Sequence, residues 1–245
     1  LAAAPNFAYE LCLKRLEEED LRGLDLSSWR VACNGAEPVS PDTVERFCET
    51  FSKYGFRREA MMPVYGLAEC TVALAFPPLD RGPLVDRIER QAFVNEGRAV
   101  PADREGPDVL RFVACGMPLP GHEIRIVDPA GRELPERQEG RLQFRGPSAT
   151  SGYFRNPEDT ESLFDDGWLN SGDRAYLAEG DVYITGRTKD IIIRAGRNVY
   201  PQELEEAVGA IPGIRKGNVV VFGTTDPASG TERLVVLAET REGPE

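Results

Sequence analysis

Residues 27–66, SSWRVACNGAEPVSPDTVERFCETFSKYGFRREAMMPVYG, carry the pattern that decides the fold. An apolar strand enters a glycine-containing loop, and Ser40 then stands as a candidate helix cap before Pro41 at the first helical position. Gly55 follows the last predicted helical turn, and a second short apolar strand breaks at Gly66. Because buried parallel strands read as apolar runs without alternation, this strand–helix–strand unit predicts a parallel α/β sheet.

The segment upstream of this unit predicts a further helix. Residues 7–19, FAYELCLKRLEEE, place Phe7, Leu11, Leu13 and Leu16 at helical spacing, and acidic residues crowd the other side. We therefore expect an amphipathic helix whose apolar face is made by these side chains.

The pattern changes after about residue 80. The segments HEIRIVD (122–128), GRLQFRG (140–146) and DVYITG (181–186) are short, alternate in polarity and are separated by turn residues. Such segments are typical of antiparallel strands, and they predict a β subdomain that is barrel-like. Residues 80–110 are charged, dotted with glycine and proline and weakly patterned, which predicts a loop-rich insertion.

Beyond residue 190 the pattern changes again. A strand pair, the helix PQELEEAVGAI (201–211) and the strands GNVVVFGT (217–224) and ERLVVLAET (232–240) predict a small α+β domain that is cut short. Its first strand is a triple isoleucine (191–193), which we expect to be buried. Four cations surround this strand, namely Arg187, Lys189, Arg194 and Arg197.

The charge balance limits the partners of the chain. Its 245 residues include 41 acidic and 29 basic side chains, for a net charge of −12. This charge argues against a nucleic-acid partner and against an anionic membrane surface. No apolar run reaches the length of about 18 residues that a spanning helix needs, and the first ten residues lack the charged start of a signal peptide. We therefore expect a cytoplasmic protein without a transmembrane segment.

The thiols and the single imidazole offer little sign of catalysis. Five cysteines lack CxxC spacing, namely Cys12, Cys33, Cys48, Cys70 and Cys115. We interpret them as reduced, mostly buried thiols. His122 has no nucleophile near it in the sequence, which favours a loop position over Ser–His or zinc chemistry.

Polar side chains follow the second strand of the α/β unit in the segment YGLAEC (65–70). Tyr65 offers an aromatic face for stacking a base, and Gly66 lets the backbone approach a ligand. Glu69 offers the oxygen ligands that Mg²⁺ prefers. Taken alone, a tyrosine and a glutamate at a strand end are also common as structural or solvated residues.

Two further segments place polar groups beside turns. WLNSGD (168–173) presents Asp173 after a Ser-Gly turn, where a carboxylate is suited to accept hydrogen bonds from the two hydroxyls of a ribose. GRTKD (186–190) presents Arg187, a forked donor that suits ribose or phosphate. Taken alone, such residues are more often an ordinary turn carboxylate and a surface cation.

The order of these segments resembles the adenylate-forming superfamily of acyl-CoA synthetases, luciferases and peptide-synthetase adenylation domains. Five segments carry the resemblance: NGAEP (34–38), YGLAE (65–69), GRLQFRGPSATSGYFRNPEDT (140–160), WLNSGD (168–173) and GRTKDIIIRAGRNVYPQELE (186–205). Within the superfamily, APNFAYELC and CNGAEPVSPDTVERFCETF look most like the fatty acyl-AMP ligase branch. The distance from Glu69 to Gly116 leaves room for an additional segment that these ligases carry and fatty acyl-CoA synthetases lack.

The resemblance implies a partial large AMP-binding domain over residues 1–188 and a truncated C-terminal lid domain over 189–245. The large domain would comprise an α/β part (1–80), the insertion (80–110) and the β subdomain (111–188). The glycine-rich phosphate loop and the C-terminal lysine of the family are absent from this sequence. Because both stabilise charge during adenylation, we expect an internal fragment that is inactive by itself.

The resemblance also implies roles for individual residues. Two segments would contact ATP or AMP, through Gly35, Ala36, Glu37, Tyr65, Gly66, Leu67 and Ala68. The first three would line the adenine pocket, and Tyr65 would stack on the base.

Glu69 is the implied catalytic ligand of Mg²⁺, Asp173 would bind the ribose hydroxyls, and Arg187 would contact ribose or phosphate. Lys189 is the implied hinge for a two-state domain closure.

These roles imply that the parent protein activates a fatty acid with ATP and Mg²⁺ and releases pyrophosphate. The acyl group of the resulting acyl-adenylate would pass to an acyl carrier protein, which can belong to a polyketide or peptide synthase. A fatty acyl-CoA synthetase is the alternative enzyme, and deletion of residues 80–110 is expected to uncover a CoA-dependent product from a ligase. A degenerate, non-catalytic nucleotide-binding domain is the alternative from another class.

Overall fold

The computed structural model describes residues 1–194, 197–225 and 232–240. The N-terminal part is a three-stranded parallel sheet with two helices. Its strands and helices are Ala2–Ala4 (β1), Asn6–Arg15 (α1), Ala32–Asn34 (β2), Pro41–Ser52 (α2) and Met61–Pro63 (β3). The strands are ordered β1-β2-β3, which confirms the predicted α/β layer. Pro41 is at the start of α2 as predicted, whereas the Ser40 side chain makes no capping hydrogen bond.

The buried face of α1 differs from the predicted one. Phe7 and Leu11 are exposed, with 61% and 43% of their surface accessible. Tyr9 instead packs edge-on against Phe47 of α2, with ring centroids 4.9 Å apart. Glu10 is buried beside it, and its carboxylate accepts a hydrogen bond from Thr43 at 3.0 Å. The prediction failed because an acidic side chain with partners on the neighbouring helix belongs to the buried face. The helix also ends at Arg15, four residues early.

The middle of the chain is mainly antiparallel. Its first elements are Ala75–Phe76 (β4), Val85–Glu89 (β5), Arg90–Glu96 (α3), Val109–Val113 (β6) and Met117–Pro118 (β7). The following ones are Glu123–Val127 (β8), Gly140–Arg145 (β9), Pro157–Leu163 (α4), Phe164–Asp165 (β10), Trp168–Ala178 (β11) and Asp181–Arg187 (β12). Strands β8, β9, β11 and β12 pair in that order, and β10 pairs with the start of β11.

Single bridges connect this sheet to strands β5 and β6, so that the strands follow one another in a ring. β5 pairs with β6, and three bridges join these strands to the rest: Ala114 with Tyr183, Ile88 with Pro101, and Arg98 with Gln138. The residues inside include Ile88, Phe93 and Tyr176, each with no exposed surface. This arrangement agrees with the barrel-like subdomain that the alternating segments predict.

The prediction of a loop-rich segment at 80–110 was wrong for residues 85–96, whereas residues 80–84 and 97–108 belong to no helix or named strand. This segment forms β5 and α3, and Phe93 and Ala99 lie in the core. Its charged residues have partners far along the chain, because Asp86 accepts hydrogen bonds from Arg137 at 2.9 Å and from Tyr176 at 2.8 Å. Charges that pair across long sequence distances give no local pattern, so the segment resembled a solvated loop.

The C-terminal part forms the predicted strand pair, helix and two strands. They are Ile192–Arg194 (β13), Arg197–Val199 (β14), Pro201–Gly209 (α5), Ile214–Thr225 (β15) and Glu232–Thr240 (β16). Ile192 is buried against Val219 and Val221, as the triple isoleucine predicts. The side chains of Ile193, Arg194 and Arg197 lie outside the described part of the chain.

Two predictions from composition can be compared with this fold. Cys33, Cys48, Cys70 and Cys115 are buried and all five cysteines are free thiols, as expected. Among the described residues, none of the helices combines the length and apolar character needed to cross a membrane.

Candidate active site

The first predicted nucleotide segment follows β2 at the carboxyl edge of the parallel sheet. Gly35 is buried, and a Cβ atom there would lie 2.8 Å from the carbonyl oxygen of Val64. Ala36 adopts a left-handed conformation with φ of 67°. Its neighbour Glu37 is exposed, and its carboxylate accepts a hydrogen bond from the main-chain nitrogen of Phe7. The tight packing at Gly35 therefore fixes the course of the exposed backbone that follows it. The Glu37 side chain is hydrogen-bonded to the start of α1.

Tyr65 and Asp173 meet although 108 residues separate them. The Tyr65 hydroxyl donates a hydrogen bond of 2.6 Å to the Asp173 carboxylate. Burial raises the pKa of both groups, and Arg187 lies 3.6 Å from the other Asp173 oxygen. Tyr65 is only 9% exposed, so most of the ring that was predicted to stack on a base packs in the protein core.

The stretch before Asp173, where the sequence predicts a Ser-Gly turn, is an irregular part of β11 held by hydrogen bonds to main-chain groups. The Ser171 hydroxyl donates to the Leu142 carbonyl at 2.9 Å and accepts from the Asp173 nitrogen at 3.0 Å. Gly172 has φ of 80°, and its carbonyl accepts from the Thr188 nitrogen at 2.8 Å. These bonds attach this part of β11 to the chain that leaves β12, next to Arg187.

Gly66 is required by the packing of the chain itself. A Cβ atom at this position would lie 1.7 Å from the carbonyl oxygen of Val72. The space therefore belongs to the chain's own backbone, which folds back through Thr71 and Val72 at φ values of 51° and 74°. Leu67 packs against the core, and Ala68 is exposed. The tight turn presents Glu69.

Glu69 is half-buried and has a partner that the sequence analysis missed. The Tyr153 hydroxyl donates a hydrogen bond of 2.6 Å to Glu69 Oε1. This bond raises the pKa of Tyr153 to about 12, so the phenol is neutral at physiological pH. The main-chain nitrogen of Thr150 also donates to the Glu69 carbonyl, at 2.7 Å. Residues 148–153 are therefore attached directly to the predicted metal ligand.

The donor set at Glu69 suits Mg²⁺ only in company with a nucleotide. Among the described residues, no group of three or more histidine, cysteine, aspartate or glutamate side chains could hold a metal. Mg²⁺ commonly binds one or two carboxylates, several waters and substrate phosphates. The single carboxylate of Glu69 fits that pattern and does not fit a metal site made by protein alone.

Lys189 lies in an exposed turn between β12 and β13. A cavity of about 460 Å³ lies beside this turn, and its lining includes Pro38, Arg187, Lys189 and Gln202. The structure therefore brings Pro38, at the end of the first predicted nucleotide segment, and Lys189, the predicted hinge, to the same cavity.

His122 contacts a serine that is distant in sequence. One ring nitrogen lies 2.7 Å from the Ser148 hydroxyl, which also donates to the Cys70 carbonyl at 3.1 Å. This contact has no signal in the sequence, because 26 positions separate the two residues along the chain. The contacts of Ser148 fix the loop next to the Glu69 turn.

We expect Asp173→Asn to stabilise the protein at neutral pH while weakening nucleotide binding. The pKa of Asp173 is raised by burial, so the fold is favoured below the unfolded value of 3.8 and loses that contribution as pH rises through the folded pKa. Asparagine avoids this cost. Under the ribose role that the resemblance implies for Asp173, the substitution would also remove a charge-assisted hydrogen bond and weaken AMP affinity roughly 10- to 100-fold. Thermal unfolding at pH 7 and pH 4 and AMP titration measure both effects, and a less stable variant at pH 7 would contradict the first.

Comparisons with known proteins define the class to which this geometry belongs. The AMP-binding enzyme family matches residues 1–154, and the chain belongs to this enzymatic family. The chain is 38% identical over 245 residues to a putative acyl-CoA synthetase of Caulobacter vibrioides, covering 99% of this chain and 42% of that protein.

Two further relatives are fatty acyl ligases. A medium-chain-fatty-acid–[acyl-carrier-protein] ligase, JamA of Moorena producens, is 39% identical, with 96% of this chain and 41% of that protein covered. A structure from a study of fatty acyl-adenylate ligases from E. coli and L. pneumophila superposes with a TM-score of 0.91 at 39% identity, covering 99% of this chain and 43% of that one. These relatives confirm the resemblance to fatty acyl-AMP ligases and related adenylate-forming enzymes. The chain spans about two fifths of the length of these relatives.

Proposed function

We propose that this chain is part of an AMP-forming ligase that makes an acyl-adenylate from ATP and a fatty acid. The observation that carries the proposal is the convergence of Tyr65, Asp173 and Arg187, three predicted nucleotide contacts, at one place. The similarity to ligases of fatty acids supports the substrate class. We also propose a cytoplasmic location.

The described elements support a division of the chain at the turn that carries Lys189. Residues 1–188 would be the C-terminal portion of a large AMP-binding domain, with its α/β part, the 80–110 segment and the β subdomain. Residues 189–245 would be the start of a lid domain that rotates about Lys189. The sheets before and after this turn have no strand in common among the described residues.

The residues would act mainly by positioning and by charge. The Asp173 carboxylate would accept hydrogen bonds from the ribose hydroxyls, and Arg187 would then turn toward the ribose or the phosphates. Gly35 and Ala36 would line one side of the adenine, with the exposed part of Tyr65 on the other. Glu69 would bind Mg²⁺, which supplies charge neutralisation at the phosphates. Holding the nucleotide in this way would orient the α-phosphate for attack by the fatty-acid carboxylate.

We propose an acyl carrier protein as the acceptor, which can belong to a polyketide or peptide synthase. JamA, by its name, acts on an acyl carrier protein, whereas the Caulobacter relative is named a putative acyl-CoA synthetase. Deletion of residues 80–110 no longer separates these alternatives, because it would remove Ile88, Phe93 and Ala99 from the core and unfold the subdomain.

The acceptor is better tested on the intact full-length protein. We would incubate it with ATP, Mg²⁺ and a medium-chain fatty acid, adding either coenzyme A or a phosphopantetheinylated carrier protein. We expect the acyl-adenylate to accumulate whether or not coenzyme A is present. We expect the carrier protein, when it is added, to become acylated. Acyl-CoA as the main product would assign the protein to the synthetases. Nucleotide binding without any product would favour the non-catalytic domain.

A further inference from the structure

Tyr153 is placed against the predicted metal ligand by a hydrogen-bonded turn. Its main-chain nitrogen donates to the Thr160 hydroxyl at 2.9 Å. Gly152 has φ of 139°, and a Cβ atom there would lie 2.5 Å from Thr160 Cγ2. Asn156 caps α4 by accepting from the Asp159 nitrogen at 3.2 Å. The ring therefore projects from a turn that is held by hydrogen bonds within residues 150–160 as well as by its contacts with Glu69.

The turn is also attached to the segment that carries Glu69. The Thr150 nitrogen donates to the Glu69 carbonyl at 2.7 Å, and the Thr71 hydroxyl donates to the Ser148 carbonyl at 3.0 Å. The Tyr153 hydroxyl then contacts Oε1 of the Glu69 carboxylate at 2.6 Å. One main-chain bond and two side-chain bonds thus define where this carboxylate points.

We propose that Tyr153 is a positioning residue that orients Glu69 to bind the nucleotide-associated metal ion through its other oxygen, Oε2. The inference rests on the proposed function of the site. A neutral phenol can only donate to the carboxylate, so it fixes one oxygen without neutralising the charge that attracts the cation. Hydrogen bonds to a ligating carboxylate from the surrounding shell commonly govern metal affinity.

The test compares Tyr153→Phe with Phe154→Ala in the full-length protein. Phe154 is 88% exposed in the same turn, so its loss reports any general disturbance of the loop. Mn²⁺ serves as the probe, and its free concentration is followed by electron paramagnetic resonance in the presence of a non-hydrolysable ATP analogue. We expect Tyr153→Phe to weaken Mn²⁺ binding by roughly 10- to 100-fold, with the analogue's metal-free affinity unchanged. Phe154→Ala should match the unmodified protein.

Three results would overturn the proposal: unchanged Mn²⁺ affinity in Tyr153→Phe, tighter affinity, or no nucleotide-dependent Mn²⁺ binding in the unmodified protein. Tighter binding would mean that the hydroxyl competes with the metal. Pyrophosphate release measured in parallel separates this inference from the proposed function. A protein whose Mn²⁺ affinity falls in Tyr153→Phe but that releases no pyrophosphate would refute only the function, whereas pyrophosphate release with unchanged Mn²⁺ affinity in Tyr153→Phe would refute only the positioning role.

Discussion

Glu69→Ala in the full-length protein is expected to lower fatty-acid-dependent pyrophosphate release by at least about 100-fold. A bound metal stabilises transition-state charge by several kcal/mol, and each 1.4 kcal/mol corresponds to about a factor of ten in rate. The fold should survive, because the Thr150 nitrogen bonds the main chain of Glu69 and not its carboxylate. Released pyrophosphate is measured by a coupled assay, and folding by the thermal unfolding midpoint.

Glu161→Ala is the matched control, since it removes an exposed carboxylate from the nearby helix α4. It should keep full activity. Activity of Glu69→Ala within about twofold of the unmodified protein would show that the carboxylate does not hold the metal. A loss that accompanies a large fall in the unfolding midpoint would assign Glu69 to the fold.

Glu139→Gln is expected to destabilise the protein by about 3–5 kcal/mol, as removal of one partner from a buried ion pair does. The Glu139 side chain has no exposed surface. It accepts hydrogen bonds from Arg174 and Thr185, both at 2.6 Å, and from Tyr200 at 3.1 Å. Glutamine keeps the shape but leaves the Arg174 cation without a buried counter-charge. Urea-induced unfolding measures the change.

Tyr200→Phe separates the charge from the neutral hydrogen bond in this cluster. It removes one neutral donor, and we expect a loss of only about 0.5–1.5 kcal/mol. Tyr200 follows β14 and its ring centroid lies 5.6 Å from that of Phe93, so the cluster also connects the two proposed domains.

A change in unfolding free energy below about 0.5 kcal/mol for Glu139→Gln would contradict a charged role for the Glu139 side chain.

The order of strands and helices was predictable where burial alone determines the pattern. The unit from β2 through α2 to β3 has apolar strands on both faces, and the C-terminal strands and helix are bounded by glycine and proline. The prediction failed where buried polar groups find partners elsewhere in the chain. Asp86 in β5 made a buried segment look solvated, and Glu10 on α1 hid which face of that helix is buried.

The candidate site shows the same limit. The resemblance named Tyr65, Glu69 and Asp173 individually, but the contact of Tyr65 with Asp173 has no local signal because it depends on the packing of β11 beside the α/β part. Tyr153 stood inside a motif that carried the resemblance and received no role, since only the turn beginning at Thr150 brings it to Glu69.

The most direct test of the account is exchange of labelled pyrophosphate into ATP by the full-length protein. Acyl-adenylate formation is reversible, so the exchange reports that step alone and is independent of the acceptor. We predict exchange that requires both a fatty acid and Mg²⁺ and that is lost in Glu69→Ala. Absence of fatty-acid-dependent exchange, in a folded protein that binds ATP, would contradict the proposal that this site activates fatty acids.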